Sequence, residues 1–173
     1  MFLQNDKLLL RAMEPEDMDI LYKWENDTEV WHHSSTLMPY SKFALKDYLE
    51  NSLKGILHTH QLRIMADDKQ TGKTIGTIDI YDFDPVHSRA GVGLLVDKAY
   101  RGRGLGEEML RLCGEYAFRF LFLNQLYAYI AVNNAASYNL FIKCGYRRTG
   151  LLKDWVKTEQ DFEDVFLVQL IRV

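Results

Sequence analysis

Three glycines and two arginines crowd one short stretch of this chain. Val96-Asp97-Lys98-Ala99-Tyr100-Arg101-Gly102-Arg103-Gly104-Leu105-Gly106 follows an apolar run from Ala90 to Val96. After it, Leu105, Met109, Leu112, Cys113, Tyr116, Ala117 and Phe120 recur at helical spacing. Glycines let successive backbone N–H groups face one concavity, and a helix N-terminus adds partial positive charge. With Arg101 and Arg103 beside them, these groups make a seat for a pyrophosphate. Two common phosphate loops fail on spacing. A dinucleotide fingerprint needs a third glycine where Glu107 stands. Gly72-Lys73-Thr74 looks like the end of a P-loop, but its upstream glycine would be Asp67.

Other reactive side chains are few. His32 and His33 are adjacent, without the i, i+4 spacing of a helical metal pair, and no cysteine stands near them, so no metal site is expected. Cys113 and Cys144 are the only cysteines and read as reduced structural thiols in a cytoplasmic protein.

Asn134-Ala135-Ala136-Ser137-Tyr138-Asn139-Leu140-Phe141-Ile142-Lys143-Cys144-Gly145-Tyr146 is the second informative stretch. It resembles the pattern Asn-x-x-(Ala/Ser)-x-x-Leu-Tyr-x-Lys-x-Gly-Phe. Arg101 to Gly106 fits Arg/Gln-x-x-Gly-x-Gly. Together, in this order, they resemble the GCN5-related N-acetyltransferase (GNAT) superfamily. The resemblance runs over nearly the whole chain and is nearest to the branch of ribosomal-protein N-terminal and spermidine N-acetyltransferases.

That resemblance implies acetyl-coenzyme A as cofactor and direct acetyl transfer to a primary amine. The amine could be a protein N-terminus, a polyamine or another small amine. It implies a central strand splayed from its neighbour near Leu94, Leu95 and Val96, whose free backbone groups pair with the pantetheine arm. Arg101, Gly102, Arg103, Gly104, Leu105 and Gly106 then hold the pyrophosphate. Asn134, Ser137, Phe141 and Lys143 complete the cofactor contacts. The backbone N–H of Val96 is the expected oxyanion donor.

Two positions depart from the pattern. The usual acid is the tyrosine of the Leu-Tyr pair, and here Phe141 has no proton to give. Ser137, one helical turn earlier, is taken as the donor to the sulfur, with Tyr138 as a weaker candidate. A glutamate common on the central strand of spermidine enzymes falls at Gly91. The base is therefore sought in Asp79, with Asp82, Asp84, Glu29 or a water chain as alternatives. Glu29, Trp31, Asp79 and Tyr81 are the residues expected at the acceptor. Trp24 reads as core. A non-catalytic acyl-coenzyme A sensor or structural module is the competing reading, motivated by the missing tyrosine.

The elements that must position these residues are legible as patterns. Lys7 to Met13 reads as a strand, and Glu14 to about Asn26 as a helix with Pro15 in its first turn. Asp27 to Tyr40 reads as irregular, and Ser41 caps a helix ending near Leu53. Gln61 to Ala66 and Thr74 to Tyr81 form a hairpin about Asp67 to Gly72, and Asp82 to Ser88 reads as a loop. Ala90 to Val96 is a central strand, covered on both faces. Leu126 to Val132, a helix from Ala135 to Lys143, and strands from Tyr146 to Val156 and Phe162 to Ile171 complete the order.

The expected class is α/β (α+β): one domain over residues 1–173, with a mixed, mostly antiparallel sheet of about seven strands and about four helices. The 173 residues are 47% hydrophobic and 26% charged, with net charge −3, which suits one globular core. That balance excludes a broad basic field for nucleic acid and leans toward a cationic acceptor. No apolar run is long enough to span a bilayer, and no signal peptide is read at the start. A homodimer is expected from similar proteins.

Overall fold

A computed structural model describes residues 2–31, 38–158 and 161–172. Seven strands form one sheet: β1 (Leu8–Arg11), β2 (Leu62–Asp68), β3 (Lys73–Asp84), β4 (Arg89–Val96), β5 (Gln125–Ala131), β6 (Arg147–Lys157) and β7 (Phe162–Ile171). Their order is β1-β2-β3-β4-β5-β7-β6. Every neighbouring pair is antiparallel except β4 and β5. A parallel pair needs a crossover, and α5 (Leu105–Arg119) supplies it.

The helices divide between the two faces. α5 and α6 (Ala135–Lys143) pack on one face, where Met109, Leu112, Cys113 and Phe141 join Ile78, Ile80, Val92 and Val168 in the main core. On the other face α1 (Met18–Glu25) and α3 (Lys42–Ser52) set Leu21, Trp24 and Leu45 against Met65, with Leu95 beside them. The alternation along β4 follows: Ala90, Val92, Leu94 and Val96 face α5, while Leu95 faces α1. The central strand is thus covered on both sides, as its apolar run implied. Ser41 caps α3 by accepting the Ala44 N–H at 3.0 Å.

Three stretches depart from the sequence expectation. Thr28–Trp31 forms one helical turn, α2, inside the segment read as irregular. Ile56–Thr59 adds another, α4. β3 continues through the supposed loop to Asp84, because Phe83 is buried and Asp84 pairs with Arg89 beyond a bulge after Tyr81. His32 and His33 lie outside the described residues.

Candidate active site

The sheet opens between β4 and β5. Only Arg89, Ala90 and Gly91 of β4 pair with β5, at Gln125, Leu126 and Tyr127. β4 then runs on to Val96 and β5 to Ala131 without pairing. The result is a wedge with its vertex at Gly91 and Tyr127 and its mouth at the carboxyl ends of two parallel strands. Open α/β sheets bind ligands at that kind of place.

Hydrogen-bond alternation decides which backbone groups line the wedge. Asp97 N–H donates to the Ile75 carbonyl at 2.8 Å, so the bonded pairs of β3 and β4 fall at odd positions of β4. Gly91, Gly93 and Leu95 turn their polar backbone groups to β3, and Val92, Leu94 and Val96 turn theirs into the wedge. On β5, Arg172 N–H to Asn124 O and Val132 N–H to Asp164 O fix the complementary parity. Tyr129 and Ala131 therefore face the wedge. Leu95, expected to hold the cofactor through its backbone, is corrected: its groups belong to the β3 ladder opposite Thr77.

The glycine-rich loop stands at the mouth. Gly102 and Gly104 have φ of +74° and +75°, with open space where a Cβ would project. Both meet the left-handed requirement of a turn that bares its N–H groups before α5. Gly106 serves packing instead: a Cβ there would lie 3.1 Å from Leu140 and 3.4 Å from Leu94. Arg101 Nε donates to the Val96 carbonyl at 3.0 Å, and the Arg103 guanidinium lies over the Tyr100 ring at 5.3 Å. Lys143 reaches Glu107 in the first turn of α5 at 2.6 Å, beside the loop. Asn134 caps α6 by accepting the Ser137 N–H at 3.1 Å, just past the end of β5.

One residue that sequence reading passed over anchors this loop. Asp97 accepts from the Trp24 indole at 2.8 Å, from Lys23 at 3.1 Å and from the Ala99 N–H at 2.9 Å. The Trp24 bond, with the Ala99 and Lys23 bonds adding to it against the effect of burial, lowers its pKa from 3.8 to about 2. Trp24 is core, as expected, and also ties α1 to the loop. The signal was available: an aspartate directly after a buried strand caps the turn that follows.

The expected acceptor residues scatter. Asp79 lies across β3 from the α5 face, but Arg63 grips both its oxygens, at 2.7 and 2.9 Å, and also pairs with Glu25. A carboxylate held at both oxygens by a buried guanidinium is stabilised in its ionised form and makes a poor proton acceptor, so Asp79 is corrected from base to structural partner. Glu29 is 76% exposed and paired with Lys98 at 2.8 Å. The Trp31 indole donates to the Glu25 carbonyl at 2.6 Å and fastens α2 to α1. Both side chains are engaged by these local partners. Phe141 is 2% exposed, in edge contact with Tyr146, and offers a ligand no surface.

Tyr81 is different. Its ring crosses β4 directly over Gly91, where a Cβ would fall 2.2 Å from the ring. It meets Tyr127 edge-on at 6.2 Å, and its hydroxyl faces the Tyr129 N–H. The glycine at position 91 is thus the space the tyrosine needs. Beyond the vertex the same face bears a groove lined by Asp82, Arg89, Tyr127, Tyr129, Leu167 and Gln169. Asp84 there is paired with Arg89 at 3.2 Å, while Asp82 lies 3.4 Å from the Tyr127 hydroxyl. Burial raises the pKa of the Cys113 thiol to about 12 and raises that of half-buried Cys144 as well, which favours the protonated form of both. No group of metal-binding side chains occurs among the described residues.

Residues 7–147 match the family model described as "Acetyltransferase (GNAT) domain". The chain belongs to the GNAT family of acetyltransferases. It is 27% identical over 171 residues to an uncharacterized N-acetyltransferase, p20, of Bacillus licheniformis, covering 98% of this chain and 96% of that one. It is 24% identical to a spermidine N(1)-acetyltransferase of Vibrio cholerae, covering 93% and 91%. A crystal structure of spermidine N-acetyltransferase from Vibrio cholerae in complex with CoA and spermine superposes with a TM-score of 0.86 at 22% identity, covering 96% of each chain. The splayed sheet expected from the motifs is the fold of this family. The protein is an acetyl-coenzyme A-dependent amine N-acetyltransferase. Among the described residues no helix is long and apolar enough to cross a membrane.

Proposed function

We propose that the acceptor is a primary amine carrying a second positive charge, as in a diamine or polyamine. It enters from the open face of β5 and β7. The observation that carries this reading is the groove beyond the vertex. Among the described residues no cationic side chain is paired with Asp82 there, and the rings of Tyr127 and Tyr129 help line the groove. A carboxylate with aromatic walls suits an ammonium group. The reacting nitrogen would lie at the vertex while the second charge sits by Asp82. Relatives named spermidine N(1)-acetyltransferase support the same class.

The wedge fits the cofactor. It offers an unpaired strand edge, a phosphate seat at a fifteen-residue helix and glycines with open space beside them. Bound acetyl-coenzyme A supplies an activated acetyl carbonyl. Arg101, Arg103 and the N–H groups of Gly102 to Gly106 hold the pyrophosphate. Lys143, Asn134 and Ser137 stand at the rim. Val96, next to the loop, pairs with the near part of the pantetheine arm. The deeper Leu94 N–H is better placed than Val96 to meet charge developing on the thioester oxygen. No carboxylate takes the amine proton; it passes to water in the open groove. Exposed Tyr129, Leu151, Trp155 and Phe162, at 44–58% of their full area, extend the reading to self-association of the chain.

The test is coenzyme A release with spermidine, a monoamine, a peptide N-terminus or no acceptor. Spermidine should give the highest kcat/KM, and Asp82→Asn should raise its KM about two- to fivefold while sparing kcat. Equal rates with the monoamine, or a peptide preferred to spermidine, would contradict the reading.

A further inference from the structure

The reaction leaves negative charge on sulfur, and nothing assigned so far meets it. Phe141 has no proton, and Ser137 sits in the first turn of α6, at the mouth. Where the sulfur comes to rest follows from lengths. An extended pantetheine arm reaches roughly 15 Å from its phosphate to its sulfur. The unpaired stretch of β4 from Val96 to Val92 measures about 13 Å at the usual strand rise. Because the phosphate seat lies beyond Val96, an arm seated at the loop brings its sulfur past Leu94 toward the closed end of the wedge.

The hydroxyl at that closed end is Tyr81. Its ring is pinned over Gly91, a Cβ at Gly93 would lie 3.8 Å from the ring's far edge, and the Tyr127 ring closes the other side. The hydroxyl faces the Tyr129 N–H, one of the two β5 backbone sites turned into the wedge.

We propose that the Tyr81 hydroxyl is a catalytic hydrogen-bond donor to the coenzyme A sulfur. This rests on the acetyltransferase reading of the wedge. The amine nitrogen forms the C–N bond, the C–S bond breaks, and its electron pair passes to sulfur. The nitrogen sheds its surplus proton to water, and the sulfur takes one from water on release. Tyr81 keeps its own proton throughout. Burial, with Tyr127 and Asp82 nearby, holds its phenol well above the ordinary tyrosine range, which suits a donor and excludes a base.

The experiment titrates the thiol of bound coenzyme A by its thiolate absorbance, in the wild-type chain and in Tyr81→Phe. The substitution keeps the ring over Gly91. The bound thiol pKa should rise by about one unit in the variant. With spermidine, kcat should fall about tenfold or more, with the KM for acetyl-coenzyme A nearly unchanged. An unchanged thiol pKa overturns the proposal, and doubly so if only the KM for the amine rises, since Tyr81 would then touch the acceptor alone. Failure of the wild-type chain to bind coenzyme A would instead defeat the reading of the wedge itself.

Discussion

The two walls of the wedge are built by different means. On the β4 side the candidate cofactor contacts are backbone or loop: the groups of Leu94 and the N–H of Val96, and the loop whose N–H groups Gly102 and Gly104 bare. On the β3 and β5 side the candidate contacts are side chains: Tyr81 across Gly91, and Asp82 with Tyr127 and Tyr129. Backbone recognition tolerates change in the side chains that carry it. Side-chain recognition changes with every substitution. The first wall can serve one shared cofactor across a whole family, and the second can be rewritten for each acceptor.

The largest effect should come from stripping charge from the backbone wall. Arg101→Ala with Arg103→Ala removes charge-assisted contacts of on the order of 1.5–3 kcal/mol each. Coenzyme A affinity should fall at least tenfold by calorimetry, with the amine KM little affected. Equal losses in both would blur the division between the walls.

Asp97 sharpens the comparison, because its side chain ties the backbone wall to α1. Asp97→Asn should cost about 1–2 kcal/mol of stability and weaken coenzyme A binding. Its folded pKa is depressed, so its contribution is complete above about pH 4 and is lost as pH falls toward about 2. Acid unfolding curves of the two proteins should diverge above that window and converge below it.

Much of the backbone wall was legible in the sequence, and little of the other. Glycines at fixed offsets before an amphipathic helix report a backbone shape directly. An aspartate on a strand reports nothing about its partner. Asp79 alternates correctly with Ile78 and Ile80, yet the Arg63 that takes both its oxygens stands sixteen residues away on another strand. The partners of Glu29 and Trp31, Lys98 and the Glu25 carbonyl, are likewise invisible in the sequence. Leu95 was misassigned because its parity depends on register with β3, which no single strand reveals. Tyr81 and Gly91 were both noticed, but that one exists to make room for the other is visible only across the sheet.

The smallest expected effect tests the packing behind both walls. The Tyr146 hydroxyl is the one buried side-chain polar atom, among the described residues, with no hydrogen-bond partner. Tyr146→Phe removes an unsatisfied group while keeping the contact with Phe141. Its Tm should be unchanged or higher by about 2 °C, where most core substitutions lower it.

The central claim, that alternate amides of β4 wait for a cofactor, is open to residue-resolved hydrogen exchange. Without ligand, the amides of Leu94 and Val96 should exchange fast, and those of Gly93 and Leu95 slowly. Saturating acetyl-coenzyme A should slow Leu94 and Val96 and leave Gly93 and Leu95 as they were. Protection that ignores this alternation, or that appears only on β5 and β7, would contradict the account.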